Sequence, residues 1–332
     1  MSSPPPVAPR GALFNTLDAM GERHQQTMQD DVGRLILQAG TRYREELEAY
    51  LGQFRHDRAL WPVLEPMVDE IREYMVWLRW LGWNIGVLGP VVYGPSPVAV
   101  DALGLGLLGY AAGRLVDDGI DDHDSYKGRH RSLVGALRAR WPEAPPHQAC
   151  VQSVYIGFSL FHFTLRRMHQ SGHADWADQA CRMFDALSVG VLAETLLVPP
   201  VQPDVYRRVI RRKSVAYNLI LYKTFLASAD PRLRSRLLPI LADMDELAQL
   251  VNDYVDLEDD AIAGTLNAVT FGVCSPAELE RFIIAGAESA WRSAGVLAEP
   301  IREALAVMLR SVVQPYRDAV ARRGSGPFRT RD

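Results

Sequence analysis

The sequence predicts an all-α protein, a single domain of about ten helices, and three observations carry that prediction. Long stretches place apolar residues at helical period, and no run alternates apolar with polar residues as a half-buried strand would. Proline and glycine fall where such stretches would start or stop. No fixed-period repeat occurs, nor any G-x-G-x-x-G, Walker A, H-E-x-x-H or G-x-S-x-G motif.

Taken in order, helices are expected over 30–54, with Leu35, Ile36, Leu47 and Leu51 apolar, and over 62–83, with Val63, Met67, Ile71, Met75, Leu78 and Leu81 near helical period. Residues 93–97, Tyr-Gly-Pro-Ser-Pro, read as a loop. A long apolar helix over 98–122 carries Gly104, Gly106, Gly109 and Gly113, which permit close approach of another helix or of a ligand. Helices over 148–169 and 174–198 follow, the second stopped by Pro199-Pro200, and 203–228 opens with a proline in its first turn. Helices over 233–262, 276–293 and 299–322 complete the domain, expected to occupy 12–322 between a Pro-rich tail (1–11) and a second tail (323–332).

Composition narrows the function. The 332 residues are 48% hydrophobic and 23% charged, ordinary for a globular protein with a sizeable core. A net charge of -4 gives no electrostatic basis for binding nucleic acid. Cys150, Cys181 and Cys274 lack metal-ligand spacing and read as small buried hydrophobes in a reducing compartment. The first ten residues have no apolar core of a signal peptide, and Pro90, Pro95, Pro97 and Asp101 interrupt the most apolar window, 85–116, so neither export nor a membrane span is expected. A cytoplasmic protein without stable membrane insertion is the resulting expectation.

The chemistry concentrates in two acidic stretches. Residues 117–124 hold Asp117, Asp118, Asp121, Asp122 and Asp124 directly after the apolar run 102–116. On a helix Asp117, Asp121 and Asp124 share a face, and like charges at that spacing repel. Such a cluster is either a solvated helix end or a site for several cations, since Mg²⁺ is held by one or two carboxylates together with substrate phosphates. Residues 249–260 repeat the pattern: Asn252, Asp256 and Asp260 share a face, Asp253 lies beside it, and the charge opposes the helix dipole. Two helices that are apolar first and acidic last, more than a hundred residues apart, point to one shared focus.

These residues resemble the class I isoprenoid synthase superfamily, in particular its trans-prenyl diphosphate synthases. Asp117-Asp118-x-x-Asp121 is similar to the family's aspartate-rich motif, with Asp124 and Gly128 in register. Gln249, Asn252, Asp253 and Asp256 are similar to its Q-x-x-[DN]-D-x-x-D motif, and Lys213-Ser214 to its lysine-threonine element. The resemblance spans roughly 60–270. It implies a helical bundle around a central apolar cavity, with Asp117, Asp118, Asp121, Asn252, Asp253, Asp256 and Asp260 binding Mg²⁺ (three ions, or Mn²⁺) and a prenyl diphosphate as substrate. Asp117, Asp118, Asp121 and Lys213 would then carry the catalysis. Lys127, Arg129, Arg131, Arg212, Lys213 and Gln249 would bind the diphosphate. His123 and His130 flank the stretch as polar surface residues. Trp83, with Trp77 and Trp80 nearby, would offer a π face to a cation. Segments 103–116, 158–165 (including Phe158) and 219–225 would line the cavity, and small Ala111, Ala112 and Gly113 beside Tyr110 would leave room for a chain of fifteen carbons or more. A homodimer is the superfamily habit.

The chain also departs from that family. Elongating members carry G-G-K-R-x-R-P upstream, where this sequence has Leu-Gly-Trp-Asn-Ile-Gly-Val over 81–87, and no K-R-x-R precedes Asp117. Tyr126-Lys127 stands for the usual arginine pair, and no lysine occurs in 264–270. A second diphosphate loses its charge-assisted contacts without those cations. The expected function is therefore ionisation of one allylic diphosphate followed by cyclisation or rearrangement, a class I terpene synthase. Asn252, Asp256 and Asp260 approximate the cyclases' second metal motif, and Tyr316-Arg317 their terminal pair in reversed order. The alternatives are prenyl transfer to isopentenyl diphosphate or another acceptor, a non-catalytic regulatory subunit, and a helical binding module.

Overall fold

In the computed structural model, residues 10–78, 83–122, 124–126 and 130–324 are described. They form α1 (Arg10–Gly52), α2 (Trp61–Leu78), α3 (Trp83–Gly86), α4 (Gly89–Tyr93), α5 (Pro97–Ile120), α6 (Leu133–Arg140), α7 (Pro146–Gln170) and α8 (Ala174–Glu194). Then come α9 (Pro203–Ile210), α10 (Ala216–Leu226), α11 (Pro231–Val255), α12 (Leu257–Ala263), α13 (Pro276–Ala294) and α14 (Glu299–Gly324). The only strands among the described residues are β1 (Ser125–Tyr126) and β2 (His130–Arg131), an antiparallel pair with Ser125 opposite Arg131. The protein is all-α, as its periodicity predicts; a ladder of two residues per strand is too short to show a period.

Helix α5 is the axis of the molecule. Ser96 caps it, accepting from the Val98 N–H at 3.3 Å, and Pro97 opens its first turn. Nearly every residue from Ala102 to Gly119 is buried, all around the helix. Helices α1, α7, α8 and α10 pack on it. Its glycines serve those contacts: a Cβ on Gly106 would stand 2.9 Å from Leu221, and one on Gly113 3.0 Å from Tyr217, both on α10. By length and composition α5 could cross a membrane, but 78% of its apolar window is buried within the protein, so it is a core helix.

Several expectations change. Helix α1 begins at Arg10, twenty residues before its expected start, because a sparse buried stripe through Leu17, Met20, His24 and Val32 extends the helix upstream. The expected helix over 233–262 breaks at Asp256 into α11 and α12. Buried Asn267 spans the break, its amide donating to Asp253 O at 2.8 Å and to Asp260 Oδ2 at 2.7 Å. Helix α6 was not foreseen. The three cysteines are free, but none is buried as expected: Cys181 is exposed, and Cys150 and Cys274 are half-buried.

Candidate active site

The C-terminal ends of α5 and α11 meet at the mouth of one cavity of about 1060 Å³. Asp117 and Asp121 line it from α5, and Asn252, Asp253, Asp256 and Asp260 from α11 and α12. Between them runs the rod α9–α10, interrupted by a π-helical turn, Arg211–Val215. Such turns often mark functional sites because the extra residue re-aims side chains. Here the turn packs on α8 and α11 and sends Lys213 inward. Lys213 Nζ donates to Asp121 Oδ2 at 2.6 Å and lies 2.6 Å from Glu194 and 3.4 Å from Asp117. Burial opposes its charge, but Asp117, Asp121 and Glu194 outweigh burial and raise its pKa.

Other side chains fix the two motifs from behind. Arg114, mostly buried on α5, pairs with Asp117 at 3.1 Å and Asp118 at 2.7 Å. Tyr74 of α2 donates to Asp118. On the other helix Tyr206 donates to Asp253. Gln249 Nε2 and the Ala268 N–H add contacts to Asp253 at 2.9 and 3.1 Å, and Ser214 Oγ donates to Gln249 Oε1 at 3.0 Å. Burial pushes the Asp253 carboxyl up to about 6, against the downward pull of those hydrogen bonds. Asp260 accepts from Thr265 at 2.9 Å and from Asn267.

The cavity brings Asp117, Asp121, Lys213, Gln249, Asn252, Asp253, Asp256 and Asp260 together, while Asp118 lies buried just behind its wall. Other expected residues fall elsewhere. Asp122 and Asp124 are exposed and pinned to α6 by Arg138, at 2.5 and 2.8 Å, because the chain turns at Asp121 and leaves Asp122 at φ 58°. Arg131 and Arg212 are exposed and do not line the cavity. Phe158 points outward, 47% exposed, with its edge against Phe184. Ala112 and Gly113 are consumed by packing against α7 and α10. Arg317 pairs with Asp18 at 3.0 Å in the seam between α1 and α14. His123, Lys127, Gly128, Arg129 and Trp80 lie outside the described residues, as do the side chains of Trp77, Trp83 and His130.

Deeper, the cavity is walled by Ile85, Tyr110, Tyr217, Leu221, Tyr222 and Met244, and by Met308 and Val312 of α14. Sequence reasoning found the α10 contribution and missed α14, Arg114, Glu194, Tyr74 and Tyr206. Arg114 carried a signal, being a lone cation three and four residues before Asp117 and Asp118.

The donor set fits a hard divalent cation. Carboxylate and amide oxygens face one another across the mouth, and Lys213 supplies positive charge where the α5 carboxylates converge. Among the described residues no three His, Cys, Asp or Glu side chains close a cage.

No protein-family model matches the chain, and no curated protein matches it in sequence. Solved structures do. A decaprenyl diphosphate synthase from Rhodobacter capsulatus aligns with a TM-score of 0.54 at 16% identity, over 91% of this chain and 99% of that one. A polyprenyl synthase from Caulobacter crescentus CB15, solved with calcium and isoprenyl diphosphate, aligns with a TM-score of 0.58 at 16% identity, over 93% and 99%. What is shared at that identity is the architecture: this chain has the all-helical isoprenoid synthase fold of the polyprenyl diphosphate synthases.

Proposed function

We propose that the protein is a Mg²⁺-dependent enzyme that ionises an allylic prenyl diphosphate and resolves the carbocation within the same cavity, as a terpene synthase does. One observation carries this reading: two acidic helix ends line the mouth of one cavity whose wall is polar and apolar in about equal parts, with Lys213 on the α5 carboxylates. The structure solved with calcium and isoprenyl diphosphate supports a metal–diphosphate ligand for the same fold.

In this reading Asp117 and Asp121 on one side, and Asn252, Asp256 and Asp260 on the other, hold the divalent ions. When bound, Mg²⁺ supplies positive charge to the leaving diphosphate as its C–O bond breaks. Lys213 turns from its carboxylates to the diphosphate oxygens and adds charge-assisted hydrogen bonds. Asp118 and Asp253 are the less accessible members of their motifs. Tyr74 with Arg114, and Tyr206 with Gln249, fix them and thereby fix the orientation of both helix ends. The deeper wall excludes water from most of the cation and offers it the ring faces of Tyr110, Tyr217 and Tyr222.

Cyclisation or rearrangement is favoured over elongation by the cations at hand. Among the described lining residues these are Arg114 and Lys213, both engaged with motif carboxylates, which leaves no second diphosphate site there. Prenyl transfer to an acceptor is the second reading, favoured by the similarity to polyprenyl synthases.

The test is incubation with Mg²⁺ and geranyl, farnesyl or geranylgeranyl diphosphate, with and without isopentenyl diphosphate. Diphosphate release with hydrocarbon or alcohol from one allylic substrate alone is expected. Asp117→Ala lowers that release by about 100-fold or more while the protein stays folded. Longer diphosphates formed only with isopentenyl diphosphate would move the assignment to elongation. Absence of both turnover and Mg²⁺-dependent diphosphate binding would leave a regulatory subunit or binding module.

A further inference from the structure

Residues 264–271 cross behind the second acidic stretch as a short strap, and one buried side chain in it ties two acids of that stretch together. Gly264 ends α12 in the left-handed region at φ 71°, which turns the chain back toward α11. Asn267 follows three residues later and is 0% exposed. Its two amide hydrogens go to different helices. Nδ2 donates to the Asp253 carbonyl in the last turn of α11 at 2.8 Å and to Asp260 Oδ2 on α12 at 2.7 Å. Oδ1 accepts the Val269 N–H at 3.0 Å, so each polar atom of the amide is engaged. Thr265 Oγ1 donates to Asp260 Oδ1 at 2.9 Å, and the Ala268 N–H reaches Asp253 Oδ2 at 3.1 Å. The strap is itself fixed, since the Phe271 N–H donates to Asn267 O at 3.0 Å and the Val201 N–H to Phe271 O at 2.8 Å. An unbroken helix would set positions 253 and 260 roughly 10 Å apart along its axis. With the break at Asp256, one nitrogen spans the Asp253 main chain and the Asp260 side chain. Capping the end of α11 asks only for the bond to the Asp253 carbonyl. The second amide hydrogen and the Thr265 hydroxyl go instead to a carboxylate that lines the cavity with Asn252 and Asp256.

We propose that Asn267 is a positioning residue for the divalent cation: it presets Asp260 beside Asn252 and Asp256, so that the ion meets oxygen donors already in place. This rests on the metal-dependent reading of the site above. A carboxylate free to rotate must be ordered by the ion it binds, and that ordering weakens the binding. Asn267 and Thr265 each take one lone pair of Asp260 and leave the others for a cation. Mg²⁺ demands near-ideal octahedral geometry, so a misplaced donor is costly to it. Partners that orient a metal ligand from behind typically carry about 10–100-fold of the affinity. Asn267 is not among the residues that line the cavity, so it acts through Asp260 and meets neither the diphosphate nor the hydrocarbon. The geometry therefore puts its effect on metal affinity rather than on prenyl-chain recognition.

The experiment compares the full chain with Asn267→Ala and Thr265→Val, each checked by its thermal melt. Binding of inorganic diphosphate is measured by calorimetry at a series of Mg²⁺ concentrations, and Mn²⁺ binding in the same mixture by electron paramagnetic resonance. Diphosphate release from farnesyl diphosphate is followed over the same Mg²⁺ series. Asn267→Ala is expected to raise the half-saturating Mg²⁺ concentration about 10-fold or more and to weaken Mn²⁺ binding in parallel. Thr265→Val moves both the same way by less, which keeps the proposal testable if Asn267→Ala does not fold. Saturating Mg²⁺ is expected to restore most of the release in Asn267→Ala and to leave the KM for farnesyl diphosphate near that of the wild type. A lowered melt with unchanged Mg²⁺ dependence, or a loss that Mg²⁺ does not restore, makes the strap merely structural and overturns the proposal. Absence of Mg²⁺-dependent diphosphate binding in the wild type overturns the metal-site reading, and this proposal with it. Such binding without turnover of any prenyl diphosphate overturns the ionisation reading alone.

Discussion

Lys213 stands among Asp117, Asp121 and Glu194, three carboxylates that would otherwise repel one another in a largely buried corner. Replacing it by methionine keeps the bulk and removes the charge. Losing one partner of a buried ionic cluster costs on the order of 3–5 kcal/mol, and Arg114 remains to hold Asp117. Divalent cations would meet the same carboxylates from the cavity side. In EDTA, Lys213→Met is therefore expected to melt well below the wild type, and Mg²⁺ should recover more stability in the variant than it adds to the wild type. Equal Mg²⁺-induced shifts in the two proteins would show that the lysine and the metal do not share the carboxylates. Lys213 was legible in the sequence because its register follows a motif, and Arg114 could have been read from its spacing. Glu194, Tyr74 and Tyr206 could not. Tyr74 reaches Asp118 across 44 residues and Tyr206 reaches Asp253 across 47, so no local pattern announces either contact.

The helices themselves were largely legible, since α2, α7, α11, α13 and α14 each pair a periodic apolar face with a proline or capping residue at or near the first turn. What the sequence withheld was rotation. Helix α5 is apolar on every side, so its period does not say which side faces the cavity, and Ala112 and Gly113 turned out to face other helices. Phe158 was misplaced because α7 carries aromatic residues on both its inner and outer faces. One glycine shows how tightly the elements fix the site. An ideal Cβ at Gly190 on α8 would stand 2.4–2.6 Å from the backbone of Arg212 and Lys213. Backbone cannot yield as a flexible side chain does, so Gly190→Ala must push the π-helical turn away from α8. The expected cost is about 1–3 kcal/mol of stability, with a loss of Mg²⁺-dependent turnover as Lys213 moves off Asp121. Denaturant titration and turnover measured together check it. Loss of stability without loss of turnover would mean that the turn does not position Lys213 for the reaction.

At the scale of the molecule, one surface is out of keeping with the rest. Val151, Tyr155 and Phe158 lie at i, i+4 and i+7 on α7, with exposures of 47%, 72% and 47%. Val189 and Leu192 continue the apolar surface on α8, and Leu196 and Val198 extend it just past the helix end, 79% and 76% exposed. The two helices are packed together, with Phe158 and Phe184 in a T-shaped ring contact across them, which puts these exposed apolar residues on neighbouring elements. A two-fold axis beside α7 and α8 would lay this patch against its own copy, the commonest arrangement for a helical protein with a single apolar face. A stable pair buries about 800 Å² on each partner, and two adjacent helices of 25 and 21 residues provide a face of that order. The protein is expected to run at twice its 37.0 kDa chain mass in light scattering coupled to size exclusion. Tyr155→Asp combined with Leu192→Asp places charge at exposed positions, so it should leave the melt of the fold near that of the wild type while shifting the mass toward one chain. Glu194, Thr195 and Leu197 at the end of α8 also line the mouth, so Mg²⁺-dependent diphosphate release is read with Tyr155→Asp alone, whose site on α7 does not line the cavity, and it should persist there. A wild type of single-chain mass, or a variant that remains paired, would assign the patch to something other than a second copy of this chain.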